Sequence, residues 1–250
     1  MSDAYVKQDI NGPTASIEFF HPAQNSLPAA VLGQLADAIT EAGNNAAVKV
    51  IILKSGGDRT FCAGASFNEL MQINDAEAGL GFFSGFANVI NAMRLCPKFI
   101  VGRVQGKVVG GGVGLAAATD YCMATQHASI KLSELTVGIG PFVVGPAVER
   151  KLGLSAMSQI AIDADSFYDA NWAMEHGLYA SVYDSVEALD EAVRSFTDKL
   201  ASYNPEAMLE MKRTFWRGTE NWGELLAERA AISGRLVLSE FTRQQLSKYK

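Results

Sequence analysis

Residues 105–120 read QGKVVGGGVGLAAATD. Four of the five residues from Gly110 to Gly114 are glycine, and small apolar residues follow them. Glycine lets a backbone come very close to a ligand, and the free N–H groups and the dipole at the start of a helix attract negative charge. The stretch therefore predicts a small-residue helix whose N-terminus binds an anion. A tight turn or close helix packing without a ligand would explain the same glycines.

A second loop of small residues lies at positions 57–67 and reads GDRTFCAGASF. It follows an apolar run that ends at Leu53 and precedes a helical pattern. Two backbone N–H groups from separate loops that point at one oxygen stabilise an enolate or a tetrahedral oxyanion, and each is typically worth about 3–4 kcal/mol of barrier. The two loops together are a candidate oxyanion site, although the second loop alone would be explained as an ordinary surface loop.

The flanking segments alternate between strand and helix patterns. Short apolar runs predict strands at residues 15–20, 48–54, 99–104, 121–125 and 129–134. Residues 29–39 place apolar side chains at three- and four-residue spacing, which is typical of an amphipathic helix, and a buried helix is predicted at 112–119. Strand-helix-strand order requires crossover connections and therefore parallel strands. We expect an α/β fold with a further short strand near residues 180–183.

The C-terminal part, residues 201–250, is predicted to be a helical region attached to an α/β core of residues 1–200. Asn204 and Pro205 mark a helix start, since asparagine caps well and proline fits the first helical position. The region is rich in large apolar side chains, among them Trp216, Trp222 and Phe241. These side chains must bury against the body of the chain or against a neighbouring subunit, and the sequence leaves both open.

Composition excludes several classes of function. The chain has 250 residues, is 48% hydrophobic and 19% charged, and carries a formal charge of -6, which disfavours nucleic acid and anionic membranes as partners. The sequence contains neither a signal peptide nor an apolar run of about 18 residues, so we expect a cytoplasmic protein that does not bind membranes. Three cysteines without metal-ligand spacing predict buried thiols and no metal site.

Four motifs, in the correct order, resemble the enoyl-CoA hydratase/isomerase (crotonase) superfamily. Residues 61–67 resemble the F-x-A-G-A-D-[IL] loop, residues 105–112 resemble N-G-x-x-x-G-G-G, residues 25–27 resemble N-A-L, and residues 170–178 resemble A-x-x-x-G-L-V. The resemblance implies a crotonase-like spiral of strand-strand-helix turns with a helical C-terminal oligomerisation region. It also implies a homotrimer or hexamer, an acyl-CoA thioester substrate, and no cofactor beyond the coenzyme A of the substrate.

The resemblance also implies roles for individual residues. The main-chain N–H groups of Ala65 and Gly111 would form an oxyanion hole, and Glu134 would be the catalytic acid/base. Further substrate contacts would come from Asn25, Ala63, Gly64, Ser66, Phe67, Gly110 and Phe142. Bulk at residues 142–145 replaces a glycine-rich turn and should narrow the acyl pocket, and Ser66 replaces the usual aspartate. Arg243 and Lys248, near the C-terminus, could meet the CoA phosphates. Lys107 lies near the glycines and could also meet a CoA phosphate, although a solvated lysine is the more ordinary explanation.

The expected reaction follows from the carboxylates. Family hydratases carry two glutamates, but here the first position is Gly114 and only the second, Glu134, is kept. Water addition usually needs two carboxyl groups, whereas moving a double bond from the 3,4 to the 2,3 position needs one base, with a pKa that apolar neighbours would raise. Strand alternation predicts Lys131 on the face opposite Glu134. An isomerase is the leading hypothesis; the alternatives are a hydratase that uses water or another side chain, a CoA-ester decarboxylase, and a non-catalytic CoA-ester-binding homologue.

Overall fold

The computed structural model describes residues 3–248, and their strands form two sheets. The strands are β1 (Tyr5–Asn11), β2 (Thr14–Phe20), β3 (Val50–Ser55), β4 (Thr60–Cys62), β5 (Phe99–Val104), β6 (Lys107–Val109), β7 (Tyr121–Thr125), β8 (Ser129–Lys131), β9 (Tyr168–Asp169) and β10 (Ser181–Tyr183). One sheet has the order β1-β2-β3-β5-β7-β10 and the other β4-β6-β8-β9. From β2 to β10 the neighbours in the larger sheet are parallel, as the crossover argument predicts.

Within residues 3–248, ten α-helices connect and cover these strands. They are α1 (Ala29–Asn44), α2 (Phe67–Leu70), α3 (Ala76–Leu95), α4 (Gly111–Ala118), α5 (Gly145–Ile162, interrupted at Gly153), α6 (Ala170–Glu175), α7 (Val186–Ala201), α8 (Pro205–Phe215), α9 (Trp222–Leu236) and α10 (Glu240–Ser247). In the pairs β3-β4, β5-β6 and β7-β8, the first strand joins the larger sheet and the second joins the smaller one. This repeat confirms the predicted spiral.

The predicted strand at 129–134 is wrong at its end. Strand β8 stops at Lys131, and Glu134 begins a 3₁₀ turn that runs to Val137. Ser133 has the dihedral angles φ −88° and ψ 0°, which are not those of a strand, and Gly138 closes the turn at φ +80°. The sequence patterns did not predict strands β1, β4, β6 and β9 or helix α3. The other predicted strands match the observed ones to within two residues.

Helix α4 lies at the centre of the core, and its close packing explains why residues 110–118 are small. Seven of its eight residues are buried. A methyl group on Gly112 would lie 2.7 Å from the carbonyl oxygen of Cys62, so the helix can pack against β4 only through glycine. Strand β5 is buried along its whole length, as expected for a central parallel strand covered on both faces.

The C-terminal helices pack, at least in part, on their own chain. Asn204 caps α8 as predicted, since its side chain accepts from the N–H of Glu206 at 2.9 Å. Helix α9 lies directly on α3, where a methyl group on Gly79 would be 2.8 Å from the Cα of Gly234. The trimer or hexamer and the division at residue 200 stay predictions. No helix within residues 3–248 is long and apolar enough to cross a membrane.

A buried ion pair joins α8 to the end of α4. The Nζ of Lys212 lies 2.8 Å from the Oδ2 of Asp120, and the two side chains are only 3% and 6% exposed. Trp216 donates its indole N–H to the same carboxylate at 3.0 Å. These contacts give Asp120 a structural role.

Removing one partner of this pair should destabilise the fold. The substitution Lys212→Ala leaves the carboxylate of Asp120 buried without its cation, so we expect the free energy of unfolding to fall by about 3–5 kcal/mol. Urea denaturation followed by circular dichroism measures the loss. The exposed Lys199→Ala on α7 is the control, expected within about 0.5 kcal/mol of wild type. Equal losses of stability in Lys212→Ala and Lys199→Ala would show that the buried Lys212–Asp120 pair does not stabilise the fold.

Candidate active site

Eight of the ten predicted site residues line one cavity of about 580 Å³. The cavity lies where the 63–67 loop, the start of α4, the 3₁₀ turn and residues 139–144 meet, with α3 along one side. The eight residues are Ala63, Gly64, Ala65, Phe67, Gly110, Gly111, Glu134 and Phe142. The sequence motifs therefore converge in space, and the cavity is the candidate active site.

The two predicted oxyanion loops touch each other through backbone. Gly64 has φ +89°, and a methyl group there would lie 3.2 Å from the carbonyl oxygen of Val109 and 3.6 Å from the nitrogen of Gly111. Leu27 bridges the loop in parallel fashion, accepting from the N–H of Ser66 at 2.9 Å and donating to the oxygen of Gly64 at 2.8 Å. Within residues 3–248, no hydrogen bond engages the N–H groups of Ala65 or Gly111.

Asn25 and Ser66 do not line the cavity; they hold the loop that does. Asn25 is 2% exposed, and its side-chain amide donates to the carbonyl of Thr60 at 2.9 Å. The main-chain carbonyl oxygen of Asn25 accepts from the N–H of Ala63 at 3.1 Å. Ser66 caps α2 by accepting from the N–H of Glu69, so the serine still bonds the loop where the family has aspartate. Substrate contacts from Asn25 and Ser66 stay predictions.

Glu134 places its carboxylate beside the glycine turn. A methyl group on Gly110 would lie 3.2 Å from the Oε1 of Glu134. The Oε2 atom is shut off from solvent and has no hydrogen-bond partner among residues 3–248. Burial raises the pKa of this carboxyl group to about 7, and the N–H of Glu134 itself offsets the rise only in part. The raised pKa confirms the expectation from its apolar neighbours.

The turn that carries Glu134 is closed by its own backbone and covered by helix α10. The N–H of Ile139 donates to the carbonyl of Glu134 at 3.0 Å. Helix α10 packs against this turn so closely that a methyl group on Gly138 would lie 2.7 Å from the Oγ1 of Thr242. Substrate would therefore meet a carboxylate whose backbone is fixed on both sides.

Lys131 lines the same cavity as Glu134, so the predicted opposite placement is wrong. Alternation applies only within a strand, and the chain leaves β8 immediately after Lys131. The Nζ of Lys131 donates to the main-chain oxygen of Asp165 at 2.9 Å. Arg243 and Lys248 lie on or at the end of α10, outside the cavity wall. Their proposed contact with CoA phosphates stays a prediction.

The position of the missing hydratase glutamate is filled by another side chain. Gly114 is buried, and a methyl group there would lie 2.5 Å from the Cγ1 and 2.7 Å from the Cβ of Val144. A glutamate at this position would collide with Val144. The described carboxylates in the cavity wall are Glu134, whose carboxyl group is enclosed, and the exposed Asp165.

An aromatic wall supplied by α3 was not predicted. Phe82, Phe83 and Phe86 line the cavity, and the ring of Phe86 leaves no room for a side chain on Gly111. Their spacing in the sequence places Phe82 and Phe86 on one helix face, which is the signal that could have identified them. Phe142 packs its ring on Gly140 and lines the cavity as predicted.

Comparison with known proteins places this site in a family. A family model described as Enoyl-CoA hydratase/isomerase matches residues 9–245. A short-chain-enoyl-CoA hydratase of Clostridium acetobutylicum is 28% identical over 211 residues, which are 84% of this chain and 80% of that protein. A carnitinyl-CoA dehydratase of Salmonella agona is 26% identical over 207 residues, or 82% and 77% of the two chains. An enoyl-CoA hydratase structure from Bacillus halodurans matches with a TM-score of 0.90 at 19% identity, over 98% of this chain and 99% of that one.

The strand-strand-helix spiral around a glycine-rich cavity is the fold of that solved enoyl-CoA hydratase. The family model covers nearly the whole chain, so this protein belongs to the enoyl-CoA hydratase/isomerase family. The structural match confirms the fold that the motifs predict. The names of the relatives describe hydration and dehydration.

The raised pKa of Glu134 should make stability depend on pH. Between pH 4.5 and about 7 the folded state holds a proton that the unfolded state has released, so wild-type stability falls as pH rises through this window. Glu134→Gln cannot lose that proton. We expect the free energy of unfolding of the variant, relative to wild type, to rise by about 1–3 kcal/mol from pH 4.5 to pH 8.

Denaturant titrations at both pH values measure this difference. The exposed Glu191→Gln on α7 serves as the control. A relative stability of Glu134→Gln that is the same at the two pH values would show that Glu134 is not buried in its protonated form.

Proposed function

We propose that this protein moves the double bond of a 3-enoyl-CoA to the 2,3 position, with Glu134 as the single acid/base. The observation that carries the proposal is the enclosed carboxylate of Glu134 beside the glycine turn, together with Val144 in the space of a second glutamate. One carboxylate suffices for proton transfer from one carbon to another, whereas water addition usually needs both a general base and a general acid.

The proton path uses one residue twice. Glu134, as the carboxylate, takes a proton from C2 of the thioester, and the electron pair of the broken C–H bond delocalises over the double bond and the carbonyl as a dienolate. The protonated Glu134 then returns the proton to C4, and the double bond forms between C2 and C3. A pKa of about 7 gives both protonation states near neutral pH, which suits a group that must accept and donate.

The N–H groups of Ala65 and Gly111 would hold the dienolate oxygen. Both are free of hydrogen bonds within the described residues, and their loops touch at Gly64. Gly111 is also the first residue of α4, so the positive end of the helix dipole faces the developing charge. Each donor is expected to lower the barrier by about 3–4 kcal/mol.

A hydratase is the second candidate, because the names of the two relatives describe hydration and dehydration. Asp165 is the other carboxylate in the cavity wall and would have to supply the missing acid or base. Asp165 is exposed, so burial does not favour its protonated form as it does for Glu134, and this difference favours the isomerase. The reaction of the wild-type protein with paired substrates separates the two.

Glu134→Gln should abolish isomerisation. We expect the rate for a short 3-enoyl-CoA to fall by about 10²–10⁴-fold, because the amide cannot accept the C2 proton. For the wild type, kcat/KM should rise with pH through about 7 as the carboxylate forms. Mass spectrometry and proton NMR of the products measure both effects.

Asp165→Asn is the matched control for this experiment. The isomerase proposal expects its rate to stay within about twofold of wild type, since Asp165 is exposed and takes no part in the proposed proton path. Addition of water to the 2-enoyl-CoA by wild type, lost in Asp165→Asn, would replace the proposal with the hydratase. Turnover of neither substrate would favour decarboxylation or a binding role.

Restoring the second glutamate should require two substitutions. Gly114→Glu alone collides with Val144, so we expect a loss of about 1–3 kcal/mol in stability and no hydration. The double variant Gly114→Glu with Val144→Gly has room for the side chain and should add water to a short 2-enoyl-CoA. A product heavier by one water is the readout.

Val144→Gly alone is the control, and it should gain no hydration because it brings no carboxylate. Equal hydration by wild type and by the double variant would show that the filled space beside Gly114 does not decide the reaction.

A further inference from the structure

The cavity wall contains a buried serine hydroxyl group that has no hydrogen-bond partner within residues 3–248. Ser233, on α9, lines the cavity and is 1% exposed. Its main-chain oxygen accepts from the N–H of Val237 at 3.0 Å, but its side-chain hydroxyl makes no hydrogen bond with the described residues. Buried hydroxyl groups are normally hydrogen-bonded, because removing one from water without a new partner costs free energy. A molecule bound in the cavity can supply the missing partner.

The surroundings of this hydroxyl group are apolar. Helix α3 contributes three phenylalanine rings to the cavity wall. Val237, one helical turn after Ser233, packs in one apolar cluster with Phe83 and Ile139, which both line the cavity. An ordered water needs about two to four polar partners, and Ser233 is the one polar side chain that the described parts of α3 and α9 present to the cavity. An oxygen atom on the acyl group is therefore a better partner for Ser233 than a water molecule.

Ser233 lies about 10 Å along α3 from the proposed oxyanion hole. It precedes Gly234, and a methyl group on Gly79 would be 2.8 Å from the Cα of Gly234. At the other end of the same helix face, the ring of Phe86 packs on Gly111. Gly79 and Phe86 are seven residues apart on α3, which gives a separation of about 10 Å along the helix axis.

This separation sets the length of the acyl group that would reach Ser233. A hydrogen bond of about 2.8 Å takes part of the span and leaves about 7 Å for the acyl chain. An extended carbon chain covers that distance in about six bonds, since each bond of about 1.5 Å advances the chain by somewhat less than its own length. The partner of Ser233 is then an oxygen atom attached to C6.

We propose that Ser233 determines specificity for an acyl group that carries a hydroxyl or keto oxygen about six bonds beyond the thioester carbon. The inference rests on the proposed function in placing the thioester carbonyl at the N–H groups of Ala65 and Gly111. A serine hydroxyl both donates and accepts, so it pairs with either kind of oxygen. An apolar acyl group of the same length would leave the hydroxyl of Ser233 buried and unpaired, and binding sites of this kind discriminate against such analogues.

The test compares two saturated thioesters of equal length, 6-hydroxyhexanoyl-CoA and heptanoyl-CoA, which differ by a hydroxyl group in place of a methyl group. Isothermal titration calorimetry gives their dissociation constants for wild type and Ser233→Ala. We expect wild type to bind the hydroxylated thioester more tightly and Ser233→Ala to bind heptanoyl-CoA more tightly. The ratio of the two dissociation constants should change about 10-fold between the two proteins, as expected for one buried hydrogen bond.

Ser84→Ala is the matched control. Ser84 is also on α3 but outside the cavity wall, and its hydroxyl group donates to the main-chain oxygen of Leu80 at 2.7 Å. Its ratio of dissociation constants should equal that of wild type. The shorter pair of 4-hydroxybutanoyl-CoA and pentanoyl-CoA should show no dependence on Ser233, because its oxygen ends about two bonds short of the hydroxyl.

Three results would overturn the inference. The ratio could be the same in wild type and Ser233→Ala. Both affinities could fall equally in Ser233→Ala, which would indicate a structural role for the serine. The shorter pair could respond to the substitution as strongly as the longer pair, which would contradict the placement of the oxygen at C6.

The saturated thioesters separate this inference from the reaction, because they contain no double bond to move. A change in their binding ratio would support the role of Ser233 even if wild type turned over no 3-enoyl-CoA, in which case only the proposed reaction would fail. Isomerisation without any such change would leave the proposed function in place and overturn the role of Ser233. If both proposals hold, kcat/KM for 6-hydroxy-3-hexenoyl-CoA relative to 3-heptenoyl-CoA should also change about 10-fold in Ser233→Ala.

Discussion

The close backbone contact between the 63–65 loop and the start of α4 is the constraint on which the rest of the structure depends. A methyl group on Gly64 would lie 3.2 Å from the carbonyl oxygen of Val109 and 3.6 Å from the nitrogen of Gly111, and the φ of +89° at Gly64 favours glycine. Because the two loops belong to successive turns of the spiral, their contact fixes how β4 and β6 lie in the smaller sheet. The buried amide of Asn25 and the small residues of α4 serve this contact from opposite sides. The geometry of the proposed oxyanion hole is thus set by backbone, and side chains mainly hold that backbone in place.

A single enclosed carboxylate next to these N–H groups gives the site its chemical character. Glu134 is in contact with Gly110, one residue before the proposed oxyanion donor, so acid/base and electrostatic functions share one corner of the cavity. Burial raises the pKa of this carboxyl group to about 7, and no side chain among residues 3–248 donates a hydrogen bond to Oε2 to offset the rise. A glutamate at position 114 would lie about one helical turn after Gly110. The side chain of Val144 occupies the space that this glutamate would need. The packing of Val144 on Gly114 therefore also determines how many carboxylates the cavity can hold.

Much of the fold and the site was predictable because its signals are local. The glycine run, the FCAGASF loop and the capping asparagine at 204 each specify a backbone conformation within a few residues. The failures have a tertiary origin. Lys131 was assigned to the wrong face because the end of β8 depends on the turn packed against α10, which strand periodicity does not reveal. Val144 next to Gly114 is a contact across 30 positions of sequence, and no local pattern encodes it.

The contact between Gly138 and Thr242 also bears on the order in which the molecule is completed. A ribosome releases the turn that carries Glu134 long before it releases α10, which covers that turn at Gly138. A growing chain that already has both sheets still lacks one wall of its catalytic turn. Residues synthesised well after Glu134 therefore complete the support of its carboxylate, and loss of α10 by proteolysis would remove that support while leaving the sheets in place.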